Sequence, residues 1–390
     1  MTQKDIGTIK RRLRAQKRAP SMLRGCYLDS QGNILTDFKK NIIEVSTEEL
    51  EKYFAMFRKC LSGTFGQQLL PVNFSDEQIQ QDTAYASLMQ LCRSELDDDR
   101  ASAELWESIA NWVRKEKIVP AQSVNEQRNA ANYLCLLLYD SFDVGYTHPD
   151  GEEDIEMSET VFNYMLCSVS PVQRGKDTLS YAEGEGMFHV LPATWDAGMP
   201  EVGFMFPSFA QGGANISEAM LYTRDTNNVH EAFLEEVFHA GVMMNATEQK
   251  ETVCNLIQTT LQEECSMDVV QAVNEKVSEM IIEQKEDKAS EPLQLSGKDV
   301  CRVLQSAGVS PEKVEAFSES YTQTFGEKAE IPAVNVVSHK EFKVVTPSVR
   351  IHVDPEHSDL ITTRVIEGQK YIMILADGQV EVNGINIAIQ

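Results

Sequence analysis

In the first third of the chain, apolar residues recur every three or four positions, which is the spacing of amphipathic helices. Ile6, Ile9 and Leu13 form the first such stripe, and basic residues surround it. Later stripes follow serine residues that can cap a helix in a Ser-x-x-Glu or Ser-x-x-Gln arrangement. The pattern predicts helices over 4–18, after Ser46, after Ser75 and over 101–115.

A second pattern begins at Tyr133, where short continuous apolar runs replace the helical stripes. The run 133–139 indicates a strand that is buried on both faces, because a half-exposed strand would alternate with polar residues. Similar runs follow at 162–169, 203–207 and 219–222. We predict an α/β (α+β) fold in which a central mixed sheet packs against the earlier helices.

Beyond this sheet, the chain is predicted to be helical and then to return to strands. A helical pair is predicted from Ser296 to Ala307, with Gly308 as a stop, and from Ser310-Pro311 onward, since Ser can cap a helix and Pro suits the first helical position. Between 342 and 382, alternating apolar residues and Gly-containing turns predict a small antiparallel β module. The predicted division is a basic N-terminal helix 1–24, an α/β core domain 25–228, a helical region 229–330 and a small β module 331–390.

Composition places the chain among globular proteins. Its 390 residues exceed one typical core, and a hydrophobic fraction of 42% supplies enough apolar material for two or three domains. The eight cysteines stand singly, without Cys-x-x-Cys pairs, which is typical of thiols in a reducing compartment. No apolar stretch has the length of a membrane span. We therefore expect a cytoplasmic protein without a membrane partner.

The charge of the chain is strongly uneven. Its formal net charge is −25, which disfavours polyanion binding by the molecule as a whole because phosphates would be repelled at long range. Residues 1–24, however, carry eight Lys and Arg residues against Asp5 alone, a net charge of +7. The basic helix is therefore the segment that favours contact with a polyanion.

Several short blocks of the sequence resemble those of a known family, in the same order. They are 21–27 (SMLRGCY), 57–64 (FRKCLSGT), 203–209 (GFMFPSF) and 380–384 (VEVNG). Over essentially its whole length, the chain resembles the bacterial domain-of-unknown-function family numbered 4317. The resemblance implies a cytosolic bacterial housekeeping or accessory protein and supplies no catalytic residues. The order of its regions, with a terminal β module around 349–355, is also similar to that of bacterial nucleoid-associated proteins.

The most enzyme-like segment is 230–239, HEAFLEEVFH. Its two histidines are nine positions apart, so a regular helix would point them to opposite sides, away from any common ion. What remains is Glu236-x-x-His239, the spacing used pairwise in di-iron bundles, which requires a second copy. An amphipathic helix is the preferred interpretation. The alternative function is a metal-dependent hydrolase or other metal enzyme that uses Glu235, Glu236 and His239.

The basic helix supports two interpretations. In the first, its cations neutralise nucleic-acid phosphates without reading the base sequence. The candidate residues are Lys10, Arg11, Arg12, Arg14, Lys17 and Arg18. In the second, the same helix docks on the acidic body of its own or a neighbouring subunit.

The preferred function is a non-enzymatic binding or assembly protein. Its expected partners are a second copy of the chain and nucleic acid, contacted through residues 4–18. The sequence indicates no cofactor and no small-molecule ligand, because it completes neither a phosphate-binding glycine loop nor a nucleophile motif.

Overall fold

A computed structural model describes the chain over residues 1–17, 19–118, 131–144, 146–147, 153–154, 160–182, 184, 186–191, 193–210, 213–241, 243–286, 292–327, 329–337, 341–376 and 378–388. The chain divides into two compact units, Met1–Asn245 and Ala246–Gln390.

The first unit combines helices with a large sheet. Its described helices are α1 Gln3–Arg12, α2 Thr47–Cys60, α3 Asp76–Gln81, α4 Thr83–Arg93, α5 Asp99–Trp112 and α6 Glu231–Phe238. A π-helical turn, Val113–Lys117, extends α5. The described strands are β1 Met22–Leu28, β2 Ile34–Asn41, β3 Leu69–Asn73, β4 Asn132–Val144, β5 Tyr146–Thr147, β6 Glu153–Asp154, β7 Thr160–Arg174, β8 Thr178–Ala182, β9 Met187–Leu191, β10 Trp195–Ala197, β11 Val202–Phe206, β12 Ser208–Ala210, β13 Gly213–Asn215 and β14 Glu218–Thr223.

The large sheet has the strand order β2-β1-β4-β7-β11-β14-β3, and β10 also pairs with β7. Each of these pairings is antiparallel. The sequence predicts a mixed sheet, whereas these strands form an antiparallel one. Its longest ladder joins β4 and β7, from Asn132 opposite Val172 to Val144 opposite Thr160. Both strands lie inside the sheet, with neighbours on either side.

Helices cover both faces of the sheet and create two separate cores. Along β4, Cys135 and Leu137 contact the first core, whereas Leu136 and Leu138 contact the second. This alternation follows from the two-residue repeat of a strand, and it confirms the predicted burial on both faces. The first core receives residues of α4, α5 and α6, and the second core receives residues of α1 and α2.

Helix α1 is an integral part of the second core. Its stripe of Ile6 and Ile9 is buried there together with Leu13. A capping box between Thr2 and Asp5 starts the helix, because each side chain bonds the other residue's backbone N–H. The helix thus docks on its own unit through apolar side chains, and its basic residues lie around that contact.

Helix α2 lies against β11 at Gly203. A Cβ atom at this position would lie 2.6 Å from the Cys60 sulfur and 2.4 Å from the Cys167 carbonyl oxygen. Only a residue without a side chain allows so close an approach of the last turn of α2 to the sheet. The contact sets the position of Arg58 and Lys59, which are in that turn.

The second unit consists of helices and two-stranded ribbons. Its described helices are α7 Ala246–Leu261, α8 Met267–Glu286, α9 Gly297–Ser306, α10 Pro311–Phe325 and α11 Ala333–Val336. Its described strands are β15 Gln294–Ser296, β16 Glu330–Pro332, β17 Phe342–Val345, β18 Arg350–Val353, β19 Ile361–Ile366, β20 Gln369–Ile374, β21 Val380–Val382 and β22 Ile385–Ile387. The last six strands pair as three antiparallel hairpins, which make up the predicted C-terminal β module.

The helical pair α9 and α10 has the predicted local signals. Ser296 and Asp299 form a capping box at the start of α9. Gly308 has a φ of +87°, which suits glycine, and Pro311 occupies the first turn of α10. Throughout the described parts of the chain, no helix combines the length and apolarity needed to cross a bilayer.

Candidate functional site

A groove lined mainly by cations lies beside the end of α1. Its volume is about 460 Å³, and we call it the basic groove. Its lining residues are Lys10, Arg11, Arg14, Gln16, Glu51 and Arg58. Four of these six side chains carry a positive charge and one carries a negative charge.

The ends of two helices supply these cations. Basic residues occupy the last turn of α1, including Lys10 and Arg11, and the last turn of α2, including Arg58 and Lys59. Cations are stabilised at helix C-termini, because the carbonyl groups there form the negative end of the helix dipole. The fold adds what neither helix has alone, since it brings both basic ends to one groove.

Arg58 connects the two helix ends. It donates one hydrogen bond to the Leu13 carbonyl oxygen at 2.6 Å and another to Glu51 Oε1 at 2.5 Å. The first bond satisfies a carbonyl just beyond α1, and the second neutralises the acidic residue of the groove. Sequence reasoning missed Arg58 because it lies 45 positions from Leu13. The sequence feature that could have identified Arg58 is its position in the last turn of a second amphipathic helix, where cations are favoured.

Lys10 is held in an environment that disfavours its charge. Burial lowers the pKa of its ammonium group, and the positive charge of Lys59 lowers it further. A bound anion would relieve the repulsion between these two residues. The groove therefore has an electrostatic preference for a negatively charged occupant.

Arg12 points away from the groove and into a buried network. Its guanidinium donates to both carboxylate oxygens of Asp140, at 2.5 and 2.6 Å, and to the Ser141 carbonyl oxygen at 2.8 Å. Asp140 is 1% exposed and also accepts a hydrogen bond from the Tyr164 hydroxyl at 2.7 Å. The bond to Asp140 raises the pKa of Arg12, which also lies over the Phe142 ring. We call this arrangement the Arg12 anchor.

The remaining cations of the segment are more open. Arg11 is exposed, and its guanidinium donates hydrogen bonds to the Gly7 carbonyl oxygen and the Thr8 hydroxyl within its own helix. Arg14 and Lys17 are exposed beyond the end of α1, and Arg18 lies outside the described residues. Within the described part of the chain, Lys10, Arg11, Arg14 and Lys17 form no salt bridge to a carboxylate.

The acidic and histidine residues near 235–239 are not gathered around a common point. Lys115 bonds both Glu235, at 3.0 Å, and Glu236, at 2.5 Å. His239 lies beyond the end of α6 and pairs instead with Asp82 at 2.9 Å. The Glu236-x-x-His239 spacing therefore places the two side chains with different partners.

A different group of acidic and histidine residues does converge. Among the described residues, Glu116, Glu201 and His230 are the one trio whose ligand atoms all lie within 4.8 Å of one another. Lys117 bonds both carboxylates, at 3.1 Å from Glu116 Oε1 and more closely to Glu201. We call these four residues the Glu116 cluster.

Burial alone would raise the pKa of Glu116, but its bonded partners outweigh that effect. Hydrogen bonding and the charge of His230, together with Lys117 and Trp112, lower its pKa to about 2. The Trp112 indole N–H donates to Glu116 Oε2 at 2.7 Å. Glu116 is therefore an ionised, well-held carboxylate at neutral pH.

The chain belongs to a family described as a domain of unknown function (DUF4317), whose match extends over residues 1–385. No curated protein and no solved structure matches the chain.

Proposed function

We propose that this chain is a non-enzymatic binding protein that holds nucleic-acid phosphates in its basic groove without reading the base sequence. The observation that carries the proposal is the convergence of Lys10, Arg11, Arg14 and Arg58 on one groove. Arginine presents several N–H donors in a planar fork that suits phosphate oxygens, and lysine adds a point charge.

The proposed contact set differs from the one the sequence suggests. Arg12 is left out because its guanidinium is committed to Asp140, and Arg58 is added because it lines the groove. Lys17 is retained as a flanking exposed cation. Arg58 is also paired, but its partner Glu51 is partly exposed and lines the groove, whereas the Asp140 partner of Arg12 is buried.

The charge of the rest of the molecule limits how nucleic acid could approach. The chain has a net charge of −25, so most of its surface would repel a phosphate backbone. Binding would therefore be confined to the basic groove and would weaken steeply with salt, because it depends on release of counterions.

The metal-enzyme alternative that uses Glu235, Glu236 and His239 has weaker support. Lys115 already neutralises the two glutamates, and His239 faces Asp82. A cytoplasmic location is part of the proposal, since all eight cysteines are free and five of them are buried.

Fluorescence anisotropy with a labelled DNA duplex of random sequence tests the proposal. We expect binding at low salt that is lost when Arg11→Glu and Arg14→Glu are combined. The control combines Arg100→Glu and Lys276→Glu, which makes the same change in net charge at exposed cations elsewhere. It should retain most of the affinity.

A salt titration distinguishes groove contacts from general charge effects. With the milder pair Arg11→Gln and Arg14→Gln, the slope of log affinity against log salt should fall by about 0.9 for each lost phosphate contact. Absence of binding by the unaltered chain, or equal losses in the groove and control variants, would reject the proposed function.

A further inference from the structure

The Glu116 cluster joins three distant parts of the first unit. Glu116 lies in the π-helical turn after α5, Glu201 immediately precedes β11, and His230 immediately precedes α6. Single π-helical turns are frequent at functional sites because they displace side chains from the regular helical positions. The turn here directs Glu116 and Lys117 into one cluster with the other two residues.

The two carboxylates of the cluster require a cation. The Lys117 ammonium supplies one positive charge to both Glu116 and Glu201. The side chains of these three residues are about four-fifths buried, so water screens the pair of negative charges only partly. A divalent ion would supply twice the charge of the ammonium group to the same oxygens.

His230 is the third potential ligand and the most buried member of the cluster. Its side chain is 1% exposed, and Nδ1 lies 2.6 Å from Glu116 Oε1. Its Nε2 is also buried and has no hydrogen-bond partner among the described residues. In most proteins a second partner fixes which nitrogen carries the proton. Here the ionised Glu116 carboxylate can only accept, so it holds a proton on Nδ1; an ion would bind Nδ1 by taking the place of that proton, with the ring's remaining proton on Nε2.

From these observations, we propose that Glu116, Glu201 and His230 bind a divalent transition-metal ion, which enters by displacing the Lys117 ammonium. One imidazole nitrogen and two carboxylate oxygens suit Zn²⁺ or a similar ion, whereas Mg²⁺ and Ca²⁺ prefer ligands that are all oxygen. The Trp112 N–H bond to Glu116 Oε2 would hold that ligand in place from outside the coordination sphere. The proposal is independent of nucleic-acid binding in the basic groove.

Binding of Zn²⁺ to chelator-treated full-length protein tests the site. Competition with a chromophoric chelator should give one Zn²⁺ per chain for the unaltered protein. Lys117→Ala should bind roughly tenfold more tightly, because the competing ammonium is removed; this factor is on the scale of an outer-shell contact.

Thermal unfolding supplies a second readout for the same samples. Lys117→Ala leaves two partly buried carboxylates without their cation, so its melting temperature should fall without metal. Added Zn²⁺ should recover it, and the rise should exceed that of the unaltered protein. A variant that is destabilised for purely structural reasons would show no such recovery.

Two ligand variants and a matched control complete the experiment. Glu201→Gln and His230→Gln, checked by circular dichroism, should each lose stoichiometric Zn²⁺. The control combines Glu236→Gln with His239→Gln, which removes a glutamate and a histidine from the same region but outside the cluster, and it should keep the ion. Failure of both the unaltered protein and Lys117→Ala to bind stoichiometric Zn²⁺ would overturn the proposal, as would retention of the ion by both ligand variants.

Discussion

Arg11 and Arg12 are neighbours on α1, yet the fold uses their charges in opposite ways. Arg12 belongs to the Arg12 anchor, where it pairs with the buried Asp140. Arg11 lines the basic groove and remains exposed, with bonds only to its own helix among those described. One position of helical rotation, about 100°, separates a structural cation from a candidate binding cation.

The comparison teaches that the charge of a segment overstates what it can offer to a partner. The net charge of +7 over residues 1–24 includes Arg12, whose charge compensates a carboxylate of the core. It omits Arg58, which comes from another helix and contributes to the groove. Burial and pairing therefore decide which cations remain for a ligand.

The largest expected difference between Arg12 and Arg11 is in their contribution to the free energy of unfolding. Arg12→Ala should lower the free energy of unfolding by about 3 kcal/mol, because it leaves the Asp140 carboxylate buried without its counter-charge. Arg11→Ala should change it by less than about 0.5 kcal/mol, as expected for an exposed side chain. Urea unfolding measures both.

Adding Asp140→Asn to Arg12→Ala sharpens this test, since the double variant no longer buries an uncompensated charge. It should recover part of the lost stability. Equal losses for Arg11→Ala and Arg12→Ala would remove the distinction between the two sides of the helix.

Arg58 should show an intermediate effect because it has both a structural and a groove role. Arg58→Ala should cost about 1–2 kcal/mol, since it removes charge-assisted hydrogen bonds to the Leu13 carbonyl and Glu51 at a partly exposed site. It should also weaken DNA binding at low salt. Lys52→Ala, at an exposed position on the same helix, serves as the control for both measurements. If Arg58→Ala loses stability but binds DNA as before, Arg58 has a structural role, as Arg12 does, and does not contribute to DNA binding.

The smallest expected effect is on the pH dependence of DNA binding. Because the pKa of Lys10 is lowered, rising pH should remove its charge before that of an ordinary lysine with a pKa of 10.5. DNA affinity should therefore decline in the alkaline range below that value. Lys10→Arg keeps its charge and should move the decline to higher pH.

Lys10 should affect stability with the opposite pH trend. Between its lowered pKa and 10.5, the native protein binds fewer protons at Lys10 than the unfolded chain does. The contribution of Lys10 to the free energy of unfolding should therefore rise with pH over this range. For binding, identical profiles of DNA affinity against pH for Lys10→Arg and the unaltered protein would show that Lys10 does not govern the pH dependence.

The sequence by itself determined the features that depend on residues close together in the chain. The stripe of Ile6, Ile9 and Leu13 predicted the buried face of α1, and the apolar run at 133–139 predicted a strand buried on both faces. Around α9 and α10, the Ser, Gly and Pro signals predicted where helices start and stop. These predictions succeeded because helical and strand periods are local properties of the backbone.

Only the tertiary structure decided which charged groups meet. Asp140 is 128 positions from Arg12, and Glu116 is 114 positions from His230, so no short spacing predicts either pair. The local Glu236-x-x-His239 spacing, in contrast, did not bring its two residues to a shared partner. Electrostatic partners are set by distances through space, and in an antiparallel sheet flanked by helices, those distances depend on strand order rather than on separation along the chain.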